Sequence, residues 1–84
     1  SKWTILIIRD LLDGKKRFGE LRKSLDGVSP KTLSERLKSL EKEGIATKKI
    51  YPEVPPRVEY ALTRQGKSLA SIIISMKEWG DKIK

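Results

Sequence analysis

The spacing of the apolar residues changes period at Gly44, and this change limits the possible folds more than any other feature. Before Gly44 the apolar residues recur every three or four positions, which is typical of helices, and after it they alternate with polar residues, which is typical of strands. A helical spacing returns after Thr63. We therefore predict a mainly α fold with a small β-hairpin, of the α+β class. The 84 residues contain no internal repeat, so we expect one domain over residues 1–84.

The third predicted helix, at about residues 30–43, has one apolar face and one polar face. It begins at Ser29-Pro30, because a serine hydroxyl can cap a free backbone N–H and proline suits the first helical position. Leu33, Leu37 and Leu40 form the apolar face. The remaining positions carry mostly hydrogen-bonding or cationic side chains. An ordinary amphipathic surface helix would show the same pattern.

A hairpin is predicted after Gly44, at about residues 45–63. Two runs rich in β-branched and aromatic residues, 45–51 and 57–63, bracket the segment PEVPP, whose three prolines stiffen the loop. A stiff hairpin that projects after a basic helix is typical of the wing in a winged helix-turn-helix domain.

Two terminal helices and one short helix complete the prediction. The first, ending near Gly14, is apolar on more than one side, and the second runs from Arg17 to about Leu25. The last, at about residues 64–83, begins after a capping Thr63 and carries a long apolar stripe.

The charge of the chain favours a polyanionic partner. Lysine and arginine number 19 against 11 acids, which gives a net charge of +8. Such an excess attracts nucleic acid first, then an anionic membrane or an acidic protein. A solvated, lysine-rich surface would also produce this charge, so charge alone does not decide the function.

Several classes of function are disfavoured. The chain contains no Cys and no His, so we expect no disulfide, no thiolate nucleophile, no imidazole base and no ordinary zinc site. We also expect no metal and no cofactor. No pair of carboxylates has a spacing that suggests acid–base catalysis, and we predict that the chain is not an enzyme. The apolar stretch from Trp3 to Ile8 is too short to span a bilayer, so we expect a cytoplasmic protein without membrane contact.

The sequence resembles the HxlR family of winged helix-turn-helix transcriptional regulators, a MarR-like group. The resemblance lies in RFGELRKSLDGVSPKTLSERLKSLEKEGI, YPEVPPRVEYALTRQGKSL, the early KWT and the late Trp79-Gly80. It implies a dimeric, bacterial or archaeal DNA-binding protein. Because the chain begins at a serine and enters a helical pattern at once, we expect further residues upstream. Without cysteine, thiol-based sensing is not expected.

The third helix is predicted to read base edges in the major groove, where an α-helix fits. Arg36 or Lys31 can donate to guanine, Glu35 can accept from cytosine, and Thr32 can meet a thymine methyl group. We expect the other polar residues of this region to meet phosphate. These residues are Lys38, Lys42, Arg17 and, besides its capping role, Ser29.

The hairpin is predicted to meet phosphate or the adjacent minor groove through Lys48, Lys49 and Arg57. We expect Glu53 to pair with a nearby basic side chain or to face solvent, because it would repel DNA. We expect Glu59 to hold Arg57 in place. Tyr51 and Tyr60 are expected to pack within the core or the hairpin.

The terminal helices are predicted to form a homodimer, because their apolar surface exceeds what one small core can cover. The predicted contact residues are Ile5, Ile8, Leu69, Ile72, Ile73, Met76 and Trp79. A two-fold dimer would match a palindromic operator in double-stranded DNA. The alternative is a winged helix that contacts protein or structured RNA without specific duplex readout. The sequence predicts neither the operator, nor an effector ligand, nor activation as opposed to repression.

Overall fold

Four helices and a three-stranded antiparallel sheet make up the described part of the chain, residues 2–82, in a computed structural model; for residues 81 and 82 only the backbone is described. The predicted α+β class is confirmed. The elements are α1 (Lys2–Leu12), β1 (Lys16–Arg17), α2 (Phe18–Ser24), α3 (Pro30–Lys42), β2 (Ala46–Tyr51), β3 (Arg57–Leu62) and α4 (Arg64–Lys82).

The sheet has the strand order β1-β3-β2, and all its pairings are antiparallel. Strands β2 and β3 form the predicted hairpin, in register from Ala46 opposite Leu62 to Tyr51 opposite Arg57. The third strand was not predicted. It consists of two residues, of which Arg17 pairs with Glu59, and two residues are too few to show an alternating pattern.

The core lies between α1, α2, α3 and the sheet. The predicted apolar face of α3 is buried, with Leu33 0%, Leu37 1% and Leu40 2% exposed. Helix α1 packs against α2, α3, α4 and β3, so its sides are covered in several directions. For this reason Ile8, which was predicted as a dimer contact, lies in the core and is 3% exposed.

Two predicted N-caps mark the starts of α3 and α4, the helices before and after the hairpin. The Ser29 hydroxyl accepts a hydrogen bond from the Thr32 N–H at 3.1 Å and begins α3. The Thr63 hydroxyl accepts one from the Gly66 N–H at 2.9 Å and begins α4. Between these helices, Gly44 has a φ of +74°, a left-handed conformation that glycine adopts without steric cost. Both caps and the end of α3 are therefore confirmed.

Helix α4 extends beyond the core. The radius of gyration is 13.6 Å, whereas a compact domain of this length would have about 12 Å. Its 19 residues span roughly 28 Å. In its second half, residues 75–79 are all exposed. Ile83, the predicted end of this helix and of its apolar stripe, lies outside the described residues. Among residues 2–82, no helix combines the length and the apolar character needed to cross a membrane.

Candidate nucleic-acid interface

The solvent side of α3 carries a row of charged side chains. Lys31, Glu35, Lys38 and Lys42 are exposed and lie opposite the buried leucines; we call this row the α3 stripe. It extends over roughly 16 Å along the helix axis, since each residue rises about 1.5 Å. Helix α3 packs against α1 and β2, and its leucines share the core with Leu21 of α2, so the stripe lies on the side of α3 that faces away from the core. The structure thus places four of the predicted contact residues on one accessible face.

Two further predicted residues lie at the start of α3 and contact each other. The Ser29 hydroxyl donates to the Thr32 Oγ1 at 2.9 Å while it accepts from the Thr32 N–H. The proton of Ser29 is therefore directed at Thr32. Thr32 is half-buried, whereas Ser29 is exposed beside it. Both residues lie at the N-terminal end of α3, and a recognition helix contacts base edges with its N-terminal residues.

Arg36 lies on the flank of α3 and apart from the α3 stripe. Its side chain is half-buried and lines a cleft between α1, α3 and α4, together with Ile5, Ser39, Glu43 and Ile73. Its Nε is buried and has no hydrogen-bond partner among the described residues. The structure therefore directs Arg36 toward the terminal helices.

The two hairpin lysines point in opposite directions, because neighbouring residues of a strand face opposite sides of the sheet. Lys48 is paired with Tyr60, whose side chain is buried in the core, so Lys48 lies on the core-facing side and is exposed at its margin. Lys49 is paired with Glu59 on the outer side, and its Nζ is 4.9 Å from the centre of the Tyr51 ring. One wing can thus present positive charge from both of its surfaces.

Arg57 is held by three neighbours. Its guanidinium lies 3.9 Å from the centre of the Tyr51 ring, and its Nη2 is 3.2 Å from Glu53 Oε2. Its Nε is 3.9 Å from Glu59 Oε2. The predictions that Glu53 pairs with a nearby basic side chain and that Glu59 pairs with Arg57 are confirmed. The Arg57 side chain is only 30% exposed, whereas Lys48 and Lys49 are exposed. Arg57 is therefore less accessible to a binding partner than the two lysines.

Glu59 interacts with more groups than the sequence indicated. Its Oε1 is 3.5 Å from Lys15 Nζ, an ion pair between the central strand and the segment that precedes β1. Burial raises the pKa of Glu59, but a hydrogen bond from the Tyr51 side chain and the charges of Lys15 and Arg57 outweigh it and hold that pKa below its ordinary value. The sequence did not predict a role for Lys15, because its contact with Glu59 forms only when β1 pairs with β3.

The N-terminus of α2 adds a further basic side chain to the same side of the sheet. The Arg17 N–H donates to Glu20 Oε1 at 2.8 Å, so a glutamate at the third helical position caps the helix. The Arg17 side chain remains exposed. It is in register with Glu59 across β1 and β3, and this register brings it to the outer side of the wing.

A second exposed surface lies on α4. Ile72, Met76 and Trp79 are 57%, 68% and 65% exposed and lie at helical spacing; we call them the α4 patch. Ile73 and Leu69 instead pack, half-buried, against the core. Ile5 of α1, 48% exposed, is the remaining member of the predicted set on the surface.

The chain was compared with known protein families and curated relatives. It matches the family model of the HxlR-like helix-turn-helix over residues 1–84. An HTH-type transcriptional regulator of Synechocystis is 46% identical over 80 residues, which are 95% of this chain and 59% of the relative. The HTH-type transcriptional regulator YdeP of Bacillus subtilis is 42% identical over 84 residues, or 100% of this chain and 66% of YdeP. The chain spans less than two thirds of either relative.

The fold is similar to solved structures. The crystal structure of a transcriptional regulator of the MarR family from Enterococcus faecalis V583 superposes with a TM-score of 0.93 at 38% identity, covering 99% of this chain and 76% of that one. The relatives and this structural neighbour are transcriptional regulators rather than enzymes, in agreement with the predicted lack of catalytic activity.

Proposed function

The chain belongs to the HxlR-like helix-turn-helix family, whose relatives are transcriptional regulators, and we propose that it binds a specific sequence of double-stranded DNA as a homodimer in the cytoplasm. The observation that carries this proposal is the α3 stripe: a row of exposed charged side chains on the helix that follows the turn, backed by a fully buried leucine face. In this account residues 1–84 are one DNA-binding domain, with a reader helix at 30–43, a wing at 45–63 and a dimerisation helix at 64–83.

In the proposed complex, α3 enters the major groove with its N-terminal end first. Lys31 donates to a guanine, Glu35 accepts from a cytosine and Thr32 contacts a thymine methyl group. Lys38 and Lys42 lie further along the helix and neutralise phosphates. Arg36 is left out of the base contacts because its side chain lines the cleft toward α1 and α4.

The flanking elements supply contacts that do not depend on the bases. Arg17 and Ser29 lie at the starts of α2 and α3, where free amides and the helix dipole favour phosphate. Lys48 and Lys49 project from the two surfaces of the wing, so one can follow the phosphate backbone while the other faces the adjacent minor groove.

The α4 patch supports the proposed homodimer. Three large apolar side chains at helical spacing on a helix that extends beyond the core form a surface that a second copy can cover. We propose a two-fold axis at α4 with the two reader helices about 34 to 36 Å apart, one turn of DNA, which would match a palindromic operator.

The proposal is tested by titrating duplex DNA and duplex RNA of equal length at several salt concentrations. If each dimer neutralises about 8 to 12 phosphates, the logarithm of the DNA affinity should fall against the logarithm of salt with a slope of about −7 to −11. Duplex RNA should bind more weakly, because its deep, narrow major groove does not admit a helix. Equal binding of both duplexes would favour a module that recognises charge or RNA and would contradict the proposal.

A matched pair of variants locates the contact. Lys42→Ala removes one exposed charge from the α3 stripe in each subunit and should reduce the magnitude of the slope by about 2 for the dimer. Lys67→Ala removes an exposed charge from α4, outside the proposed DNA interface, and should leave the slope unchanged. Identical effects of the two substitutions would mean that α3 is not the DNA-binding surface.

A further inference from the structure

On the outer side of the sheet, the carboxylate of Glu59 lies among four cations. Glu59 lies on the central strand and is in register with Arg17 on one side and Lys49 on the other. Lys15 and Arg57 approach its two oxygens at 3.5 and 3.9 Å. Since paired residues of an antiparallel sheet point to the same side, Glu59 is surrounded by positive charge contributed by all three strands and by the segment before β1.

The same group is connected to the tip of the hairpin. Arg57 reaches from Glu59 to Glu53 in the loop, with 3.2 Å between Nη2 and Oε2, and its guanidinium covers the Tyr51 ring. Lys15, Tyr51, Glu53, Arg57 and Glu59, which we call the wing network, therefore join the segment after α1 to the end of the wing.

The geometry of the wing network is better suited to orientation than to stability. Two of its ion pairs are as long as 3.5 and 3.9 Å, and Arg57 Nε and Glu59 Oε1 are buried without a hydrogen-bond partner. Burying charges with incomplete hydrogen bonding recovers little of the cost of their desolvation. What the arrangement provides is a fixed angle between the wing and the body of the domain, because each member lies on a different part of the chain.

We propose that Glu59 is a positioning residue for DNA binding: a negative charge on the DNA-binding side of the protein whose removal weakens the complex. The inference rests on the proposed function. Without Glu59, Arg57 keeps its partner Glu53, but Lys15, Arg17 and Lys49 lose the carboxylate that they surround and repel one another and Arg57. The wing then leaves the angle at which its lysines reach the phosphate backbone. Charge alone predicts the opposite sign, because a protein that loses a negative charge attracts DNA more strongly.

The test compares Glu59→Gln with Asp26→Asn, binding the same duplex DNA as the unaltered chain. Both substitutions exchange a carboxylate for an amide. Asp26 is an exposed residue of the turn between α2 and α3 and forms no ion pair with any residue in the described range. Circular dichroism is recorded for each variant, and binding is measured at a temperature where all are folded.

The expected results differ in sign. Glu59→Gln should lose about one phosphate contact per wing, which reduces the magnitude of the salt slope by about 2 for the dimer and weakens binding about ten- to sixtyfold at 0.1 M salt. Asp26→Asn should bind as tightly as the unaltered chain or more tightly. The loss of slope distinguishes a displaced wing from a general loss of folded protein, which lowers the active fraction but not the slope.

Three outcomes would overturn the inference. If Glu59→Gln binds as tightly as the unaltered chain with the same slope, the wing is not held by Glu59, although the proposed function stands. If the unaltered chain does not bind duplex DNA, both proposals fail. Should Glu59→Gln not fold, Glu59→Asp keeps the negative charge but shortens the side chain by one methylene group, which draws the carboxylate away from Lys15 and Arg57. This variant should weaken binding severalfold, and unchanged affinity would then contradict the proposal.

Discussion

Replacing Gly66 by alanine should destabilise the protein, although alanine is ordinarily the better residue in a helix. Gly66 lies in the first turn of α4, directly against the backbone of Ile45, and a β-carbon at this position would overlap the Ile45 carbonyl oxygen. That same oxygen accepts hydrogen bonds from the Thr63 N–H at 3.0 Å and from the Thr63 hydroxyl at 3.1 Å. The methyl group can therefore be accommodated only if α4 and the start of the hairpin move apart.

The magnitude follows from what that movement breaks. Two hydrogen bonds to a partly buried carbonyl contribute about 0.5 to 1.5 kcal/mol each. The strain of an extra methyl group in a packed contact costs about 1 to 3 kcal/mol. The gain in helix propensity offsets about 1 kcal/mol. We expect a net loss of about 3 kcal/mol in the free energy of unfolding, within a range of about 1 to 5 kcal/mol.

Urea denaturation followed by circular dichroism measures this loss, at one chain concentration for all variants because a dimer's stability depends on concentration. The control is Gly19→Ala in α2, outside the proposed dimer surface, since a β-carbon there meets nothing within 4 Å. This substitution should be neutral or stabilise by up to about 1 kcal/mol. If Gly66→Ala were as stable as Gly19→Ala, the close packing of α4 against the hairpin would be refuted.

Three further predictions concern the interface, the dimer and pH. Lys31→Ala should cost about 1 to 3 kcal/mol and relax base preference at one position of each half-site, whereas Lys48→Ala should weaken all sequences similarly; panels of single-base duplex variants distinguish the two. Met76→Glu should shift the chain toward monomer in sedimentation, because an unpaired charge in an apolar interface costs several kcal/mol, and unchanged sedimentation would exclude the α4 patch. The pKa of Glu59 is lowered in the folded chain, so its stabilising effect is present above its ordinary value of 4.5 and is lost as pH falls through the folded pKa. In urea titrations the unaltered chain should lose more stability than Glu59→Gln over that acidic range, and parallel losses would contradict the assigned ion pairs.

Local patterns were sufficient to predict most of the elements. The spacing of Leu33, Leu37 and Leu40 identified the buried face of α3, because a helix places these positions on one side whatever surrounds it. Ser29 and Thr63 marked the starts of α3 and α4, because capping involves only neighbours in the chain. The hairpin was recognisable from its alternation and its proline-rich loop.

What sequence could not supply depends on contacts between distant residues. Strand β1 forms only because it pairs with the edge of β3. Its two residues are too few to show the alternation of apolar and polar residues that identifies a strand. Four successive apolar residues in α1 showed an excess of apolar surface but not which side would be covered, and the structure buries Ile8 while it leaves Ile5 exposed. Lys15 meets Glu59 only after the sheet has formed, so the wing network is a tertiary feature.

Selection of bound duplexes from random DNA tests the central claim, specific duplex recognition by a dimer, most directly. The account predicts one enriched site with two-fold symmetry, whose half-sites are centred about 10 to 10.5 base pairs apart. This site should be preferred to bulk DNA by roughly a thousandfold or more at physiological salt. Recovery of unrelated sequences without symmetry, bound no more tightly than bulk DNA, would contradict it.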